Sequence, residues 1–104
     1  MAIRTKKFQH RVTESEVRAV KITEKNLEDV VDYILRNGGA ANGRLARPEF
    51  KRPARIRIKQ WNHGRKWAKK DWRVALIGDW IVRYEDGTFA RVKAGTFDLY
   101  YIAL

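Results

Sequence analysis

Cysteine is absent from this 104-residue chain, which excludes a disulfide framework and a thiolate zinc site and makes the fold indifferent to its redox surroundings. An intracellular address is the corresponding expectation. The only serine is Ser15, and the only histidines, His10 and His63, are far apart in sequence. No carboxylate cluster has ligand spacing, so no metal site is expected. No glycine-rich phosphate loop or activated nucleophile is visible either.

The carboxylates nearest the basic region are Asp71, Asp79, Glu85 and Asp86. Asp79 reads as a turn residue and Glu85-Asp86 as a hairpin loop, so the sequence assigns no catalytic residue and no cofactor, and a non-enzymatic protein is expected. No apolar run approaches the roughly 18 residues of a membrane span. The start, MAIRTKKFQH, lacks the apolar centre of a signal peptide. A soluble, unprocessed, cytoplasmic protein is the expectation.

What is present in quantity is positive charge. The net charge is +11, and residues 51–73 account for most of it, with ten Lys or Arg against one acid, Asp71. The other 81 residues hold thirteen bases and eleven acids. A basic patch on a nearly neutral scaffold is the electrostatic footprint of a protein that meets an anionic partner.

Hydrophobic residues make up 44% of the chain, with four each of Trp, Tyr and Phe, enough to fold one domain of this length. Residues 1–12 read as a basic N-terminal arm or a weak edge strand, and residues 13–104 as a single domain. VRAVKI, Val17 to Ile22, has the β-branched content of a strand. In TEKNLEDVVDYILRNGG, Leu27, Val30, Val31, Ile34 and Leu35 make the stripe of an amphipathic helix over about residues 24–37, with Thr23 as N-cap and Asn37-Gly38 as a left-handed stop. GGAANGRLARPEFKRP reads as loop, tacked down by Leu45 and Phe50.

RIRIKQW then alternates strictly. Ile56 and Ile58 face one way, and Arg55, Arg57, Lys59 and Trp61 the other. Asn62-His63-Gly64 signals a turn. Strands follow near Val74 to Ile77, Trp80 to Tyr84 and Thr88 to Val92, with turns at Gly78-Asp79 and Glu85-Asp86-Gly87. The tail reads as a short helical turn or a last strand, the helical turn being favoured. The fold class is α+β, a small antiparallel sheet with one helix packed on it.

This order of elements resembles a family of small bacteriophage-encoded accessory proteins. Their pattern is an N-terminal strand, a helix introduced by Asn-Leu, a linker, Gly-Asp-Trp leading into a hairpin, and a C-terminal Phe followed by Tyr. The matching stretches are VRAVKITEKNLEDVVDYI, GDWIVRYEDGTF (Gly78 to Phe89) and TFDLYY (Thr96 to Tyr101). Ile77 stands where the family often has Pro, and the basic segment from Trp61 to Arg73 is an elaboration on the pattern. The resemblance implies a fold, a phage origin and the cytoplasm of an infected bacterium. It implies no general activity.

Alternate residues of a strand lie about 6.6–7 Å apart, comparable to neighbouring phosphates, and Trp side chains stack on bases. The expected function is therefore nucleic-acid binding, DNA or RNA, mainly through phosphates and with low sequence specificity. The candidate residues are Arg55, Arg57, Lys59, Trp61, His63, Arg65, Lys66, Trp67, Lys69, Lys70, Trp72 and Arg73. Trp61, Trp67 and Trp72 are equally compatible with core packing, whereas Trp80 is expected in the core. Alternative partners are an acidic host protein gripped by Trp and Arg, a small anionic nucleotide held in a basic pocket and, more weakly, an anionic membrane surface. Oligomeric state stays open, although cations along RIRIK discourage self-pairing there.

Overall fold

Val17 and Ala19 point to one side of a strand and Val20 to the other, and all three are buried. A strand with both faces apolar belongs in the middle of a sheet. The computed structural model describes residues 3–44, 53–61 and 70–104, with side chains at 3–43, 53–59 and 72–104. It is an α+β protein whose described residues form a five-stranded and a three-stranded sheet, both antiparallel.

In chain order the elements are β1 (Lys6–His10), β2 (Glu16–Lys21), α1 (Leu27–Arg36), β3 (Ala41–Arg44), β4 (Arg55–Trp61), β5 (Lys70–Leu76), β6 (Trp80–Arg83), β7 (Phe89–Val92), α2 (Ala94–Tyr100) and β8 (Tyr101–Ala103). The larger sheet runs β7-β6-β2-β1-β8 and the smaller β3-β4-β5. Val20, Ile81 and Phe89 of the larger sheet and Ile22, just beyond β2, share a core with Leu27, Val30 and Ile34 of α1 and with Ile56, Ile58 and Ala75 of the smaller sheet. Opposite, Phe8, Val17, Ala19 and Val82 pack with Phe97 of α2.

Several expectations are corrected. The arm expected over residues 1–12 contains β1, which lies between β2 and β8. One buried side chain, Phe8, anchors it, and backbone pairing on both edges supplies the rest. Helix α1 starts at Leu27 with Asn26 as its N-cap residue, later than Thr23 suggested. The Thr23 and Asn26 side chains each accept the other's backbone N–H, at 3.2 and 2.7 Å, and so form a turn that delivers the chain into the helix. At its far end Gly38 takes the left-handed conformation, φ +86°. Leu35, expected on the buried stripe, is exposed.

The loop expected from Gly38 onward contains β3, whose sequence ANGR is poor in strand formers. It is held by its register with β4, Ala41 to Ile58 through Arg44 to Arg55. Helix α1 lies so close over Gly43 that a Cβ there would sit 3.0 Å from Leu27 Cδ2 and 3.3 Å from Val31 Cγ2. Leu45 and Phe50 lie outside the described residues. The tail resolves into both of its readings in succession, helix α2 and then strand β8.

Candidate nucleic-acid interface

Strand β4 alternates as its sequence requires: Ile56 and Ile58 are fully buried, while Arg57 and Lys59 are exposed on the opposite side and Arg55 is half-buried. Burying an Ile is worth about 1.5–3 kcal/mol, so this pair fixes which way the cations face. The register with β5 then sets their neighbours. Arg55 pairs with Leu76, Arg57 with Val74 and Lys59 with Trp72. On the other flank Asn42 pairs with Arg57, and Arg44 with Arg55.

One face of the smaller sheet is thus packed on the core and the other is open. Down the open face run two adjacent columns: cations on β4, and Trp72, Val74 and Leu76 on β5, which are 42%, 44% and 43% exposed. None of these positions carries an acid. The Arg57 guanidinium carbon lies 5.4 Å and the Lys59 ammonium 5.9 Å from the centroid of the Trp72 ring, within cation–π range. An Arg55 guanidinium N–H (Nη1) donates to the Pro53 carbonyl at 3.2 Å, which steadies the third cation.

The twelve residues singled out in the sequence fall into four groups. Arg55, Arg57, Lys59 and Trp72 come together on the open face. Arg73 is exposed, but its register opposite Ile58 assigns it to the other face. Trp61 and Lys70 pair at the end of the β4–β5 ladder, their side chains outside the described set. His63, Arg65, Lys66, Trp67 and Lys69, with the turn expected at Asn62 to Gly64, lie outside the described residues. Trp80, expected in the core, is partly buried and stacks on Phe97 at 4.0 Å between ring centroids.

The apolar column of Val74 and Leu76 was missed as part of the site. Its signal was present in the i, i+2, i+4 spacing of Trp72, Val74 and Leu76, but an apolar strand is ordinarily assigned to the core.

Asp79 is a turn residue, as its sequence context suggested. Its carboxylate accepts the Leu76 backbone N–H at 2.9 Å, and Gly78 beside it has φ +95°. In the Glu85-Asp86-Gly87 turn, Asp86 accepts both the N–H and the hydroxyl of Thr88, at 2.9 and 2.7 Å. Among the described residues no group of three or more His, Asp or Glu is placed to hold a metal ion, and no helix is long and apolar enough to cross a membrane.

A cavity of about 540 Å³ that shares no residue with the basic face is lined by His10, Glu16, Tyr84, Glu85, Asp86 and Tyr101 among others. Burial, the neighbouring Tyr84 phenol and the hydrogen bond donated to it push the Tyr101 hydroxyl up to about 12. Tyr84 is also raised, chiefly by burial. Comparisons with protein-family models, with curated proteins and with solved structures found no match to this chain.

Proposed function

We propose that this chain is a non-enzymatic nucleic-acid-binding protein that holds phosphates on the open face of the β3-β4-β5 sheet. The observation that carries the reading is the column of Arg55, Arg57 and Lys59, spaced by the strand repeat and bordered by an exposed Trp72. Such a column matches a repeating anion better than a single one. The contacts are to the backbone, so sequence specificity is low. The phage origin rests on the sequence resemblance alone, which implies no general activity.

Capture of a small anionic nucleotide is less well supported. The 540 Å³ cavity carries Glu16, Glu85 and Asp86 on its wall, and carboxylates repel a phosphate. The sheet face is an open surface formed by strands.

The test is an electrophoretic mobility titration at low salt with duplex DNA, single-stranded DNA and RNA. Retardation of at least one of these is expected, and the double variant Arg57→Glu/Lys59→Glu weakens it by at least tenfold. Absence of binding to all three overturns the proposal. An acidic host protein is the second reading, favoured by the three exposed apolar side chains on β5, which suit an interface core. Retention of one host protein on the immobilised chain after nuclease treatment, with no affinity for oligonucleotides, supports that reading over the first.

A further inference from the structure

We infer that the occupant of this face is a single strand of nucleic acid, its phosphates along β4 and its bases over β5. The inference rests on the nucleic-acid reading above and assigns its substrate class. Register sets the two columns side by side: Arg55 beside Leu76, Arg57 beside Val74, Lys59 beside Trp72. Directly opposed side chains on an antiparallel pair are about 4.5–5.5 Å apart, and each column repeats at about 6.6–7 Å. A single strand has the same two-part cross-section, an anionic edge joined to a row of flat, largely apolar bases.

A duplex does not match. Its bases are stacked and paired inward, so Val74 and Leu76 would meet phosphates or groove water and lose hydration around the anions with no compensating contact. A sheet reading bases in the major groove uses side chains that hydrogen-bond to base edges. In the β5 column the indole N–H of Trp72 is the one such donor, while Val74 and Leu76 offer neither donor nor acceptor. What the column offers is exposed apolar surface, and unpaired bases cover it favourably.

Strand position favours the same occupant. Among the described residues β5 is an edge strand of the smaller sheet, with β4 and then β3 on its other side. Bases laid over it project outward past the edge, and the backbone is held over the sheet interior, with Asn42 flanking the cations on β3. Trp72 has a double part. In the free protein its ring gathers Arg57 and Lys59 within 6 Å, and a phosphate arriving over β4 draws these cations off and leaves the ring to a base.

The test uses the full chain and fluorescence anisotropy with a labelled mixed-sequence single-stranded oligonucleotide and the duplex made from it, at one salt concentration. The single strand is expected to bind at least tenfold more tightly. Trp72→Ala is expected to weaken single-strand binding by at least about fivefold, the lower end of the stacking contribution of one base, with less than a twofold effect on the duplex. Trp72→Phe restores most of the loss because a ring is retained, and thermal unfolding of both variants verifies the fold. Duplex binding equal to or tighter than single-strand binding, or an equal loss on both with Trp72→Ala, overturns the inference and leaves phosphate binding standing. Failure of both oligonucleotides to bind, made as DNA and as RNA, overturns inference and proposed function together.

Discussion

Arg57 and Trp72, diagonal neighbours across β4 and β5, meet with the guanidinium carbon 5.4 Å from the indole centroid. The contact joins the cationic and apolar columns of the open face at an exposed position, where a cation–π pair is worth about 0.5–1 kcal/mol. A double-mutant cycle on Arg57→Ala and Trp72→Ala, read by denaturant unfolding, should return a coupling of about that size. Additive effects of the two substitutions would mean that the ring and the guanidinium ignore each other.

Ile58 is fully buried beneath that face, and its register partner Arg73 marks the margin of the core. Ile58→Ala removes apolar volume from the buried cluster and should cost about 2–5 kcal/mol. Chemical denaturation measures it, and Lys59→Ala, one residue on and exposed, should stay within about 0.5 kcal/mol of the parent.

Two glycines should respond in opposite directions. A Cβ at Gly39 would sit 2.5 Å from Ile34 Cγ2 and 2.9 Å from Phe89 Cδ2, both packed in the core, whereas at Gly95 in α2 it would meet nothing within 4 Å. Gly39→Ala is expected to lower stability by about 1–3 kcal/mol through overpacking. Gly95→Ala is expected to raise it by about 0.4–1 kcal/mol by restricting the unfolded chain. Thermal melts of the two variants decide both signs.

Tyr101 gives the fold an alkaline limit. Its hydroxyl is raised from 10.0 to about 12, by burial first and then by Tyr84. The unfolded phenol loses its proton at the lower pH, so this contribution to stability is fully present below pH 10 and is lost as the pH rises from 10 toward 12. Ultraviolet titration should show late-ionising phenols, and Tyr84→Phe, which removes both the acceptor and the neighbouring charge, should move Tyr101 downward. A Tyr101 that titrates at the ordinary value in the parent would contradict the half-buried Tyr84–Tyr101 pair.

Local rules carried the sequence reading where a short segment decides its own structure. The period of Leu27, Val30 and Ile34 located α1, the Asp86-Gly87 turn located the β6–β7 hairpin, and Arg55 to Lys59 showed which side of β4 is cationic. What stayed hidden depended on distant partners. ANGR is a strand because β4 and α1 hold it, and KKFQH is an internal strand because β2 and β8 flank it. Likewise the cations of the site were legible by alternation alone. Their apolar neighbours were not, because opposing Lys59 to Trp72 is a matter of register between two strands. The same register separates Arg73 from the β4 cations with which the sequence grouped it.

The central claim, that Arg57 and Lys59 hold phosphates, is tested most directly by the salt dependence of oligonucleotide binding. Affinity should fall linearly on logarithmic axes as salt rises, and neutralising both residues as Arg57→Gln/Lys59→Gln should flatten the slope by about 0.7 for each cation on a single strand. A slope that is the same in the parent and the double variant, or the absence of binding at low salt, would contradict it.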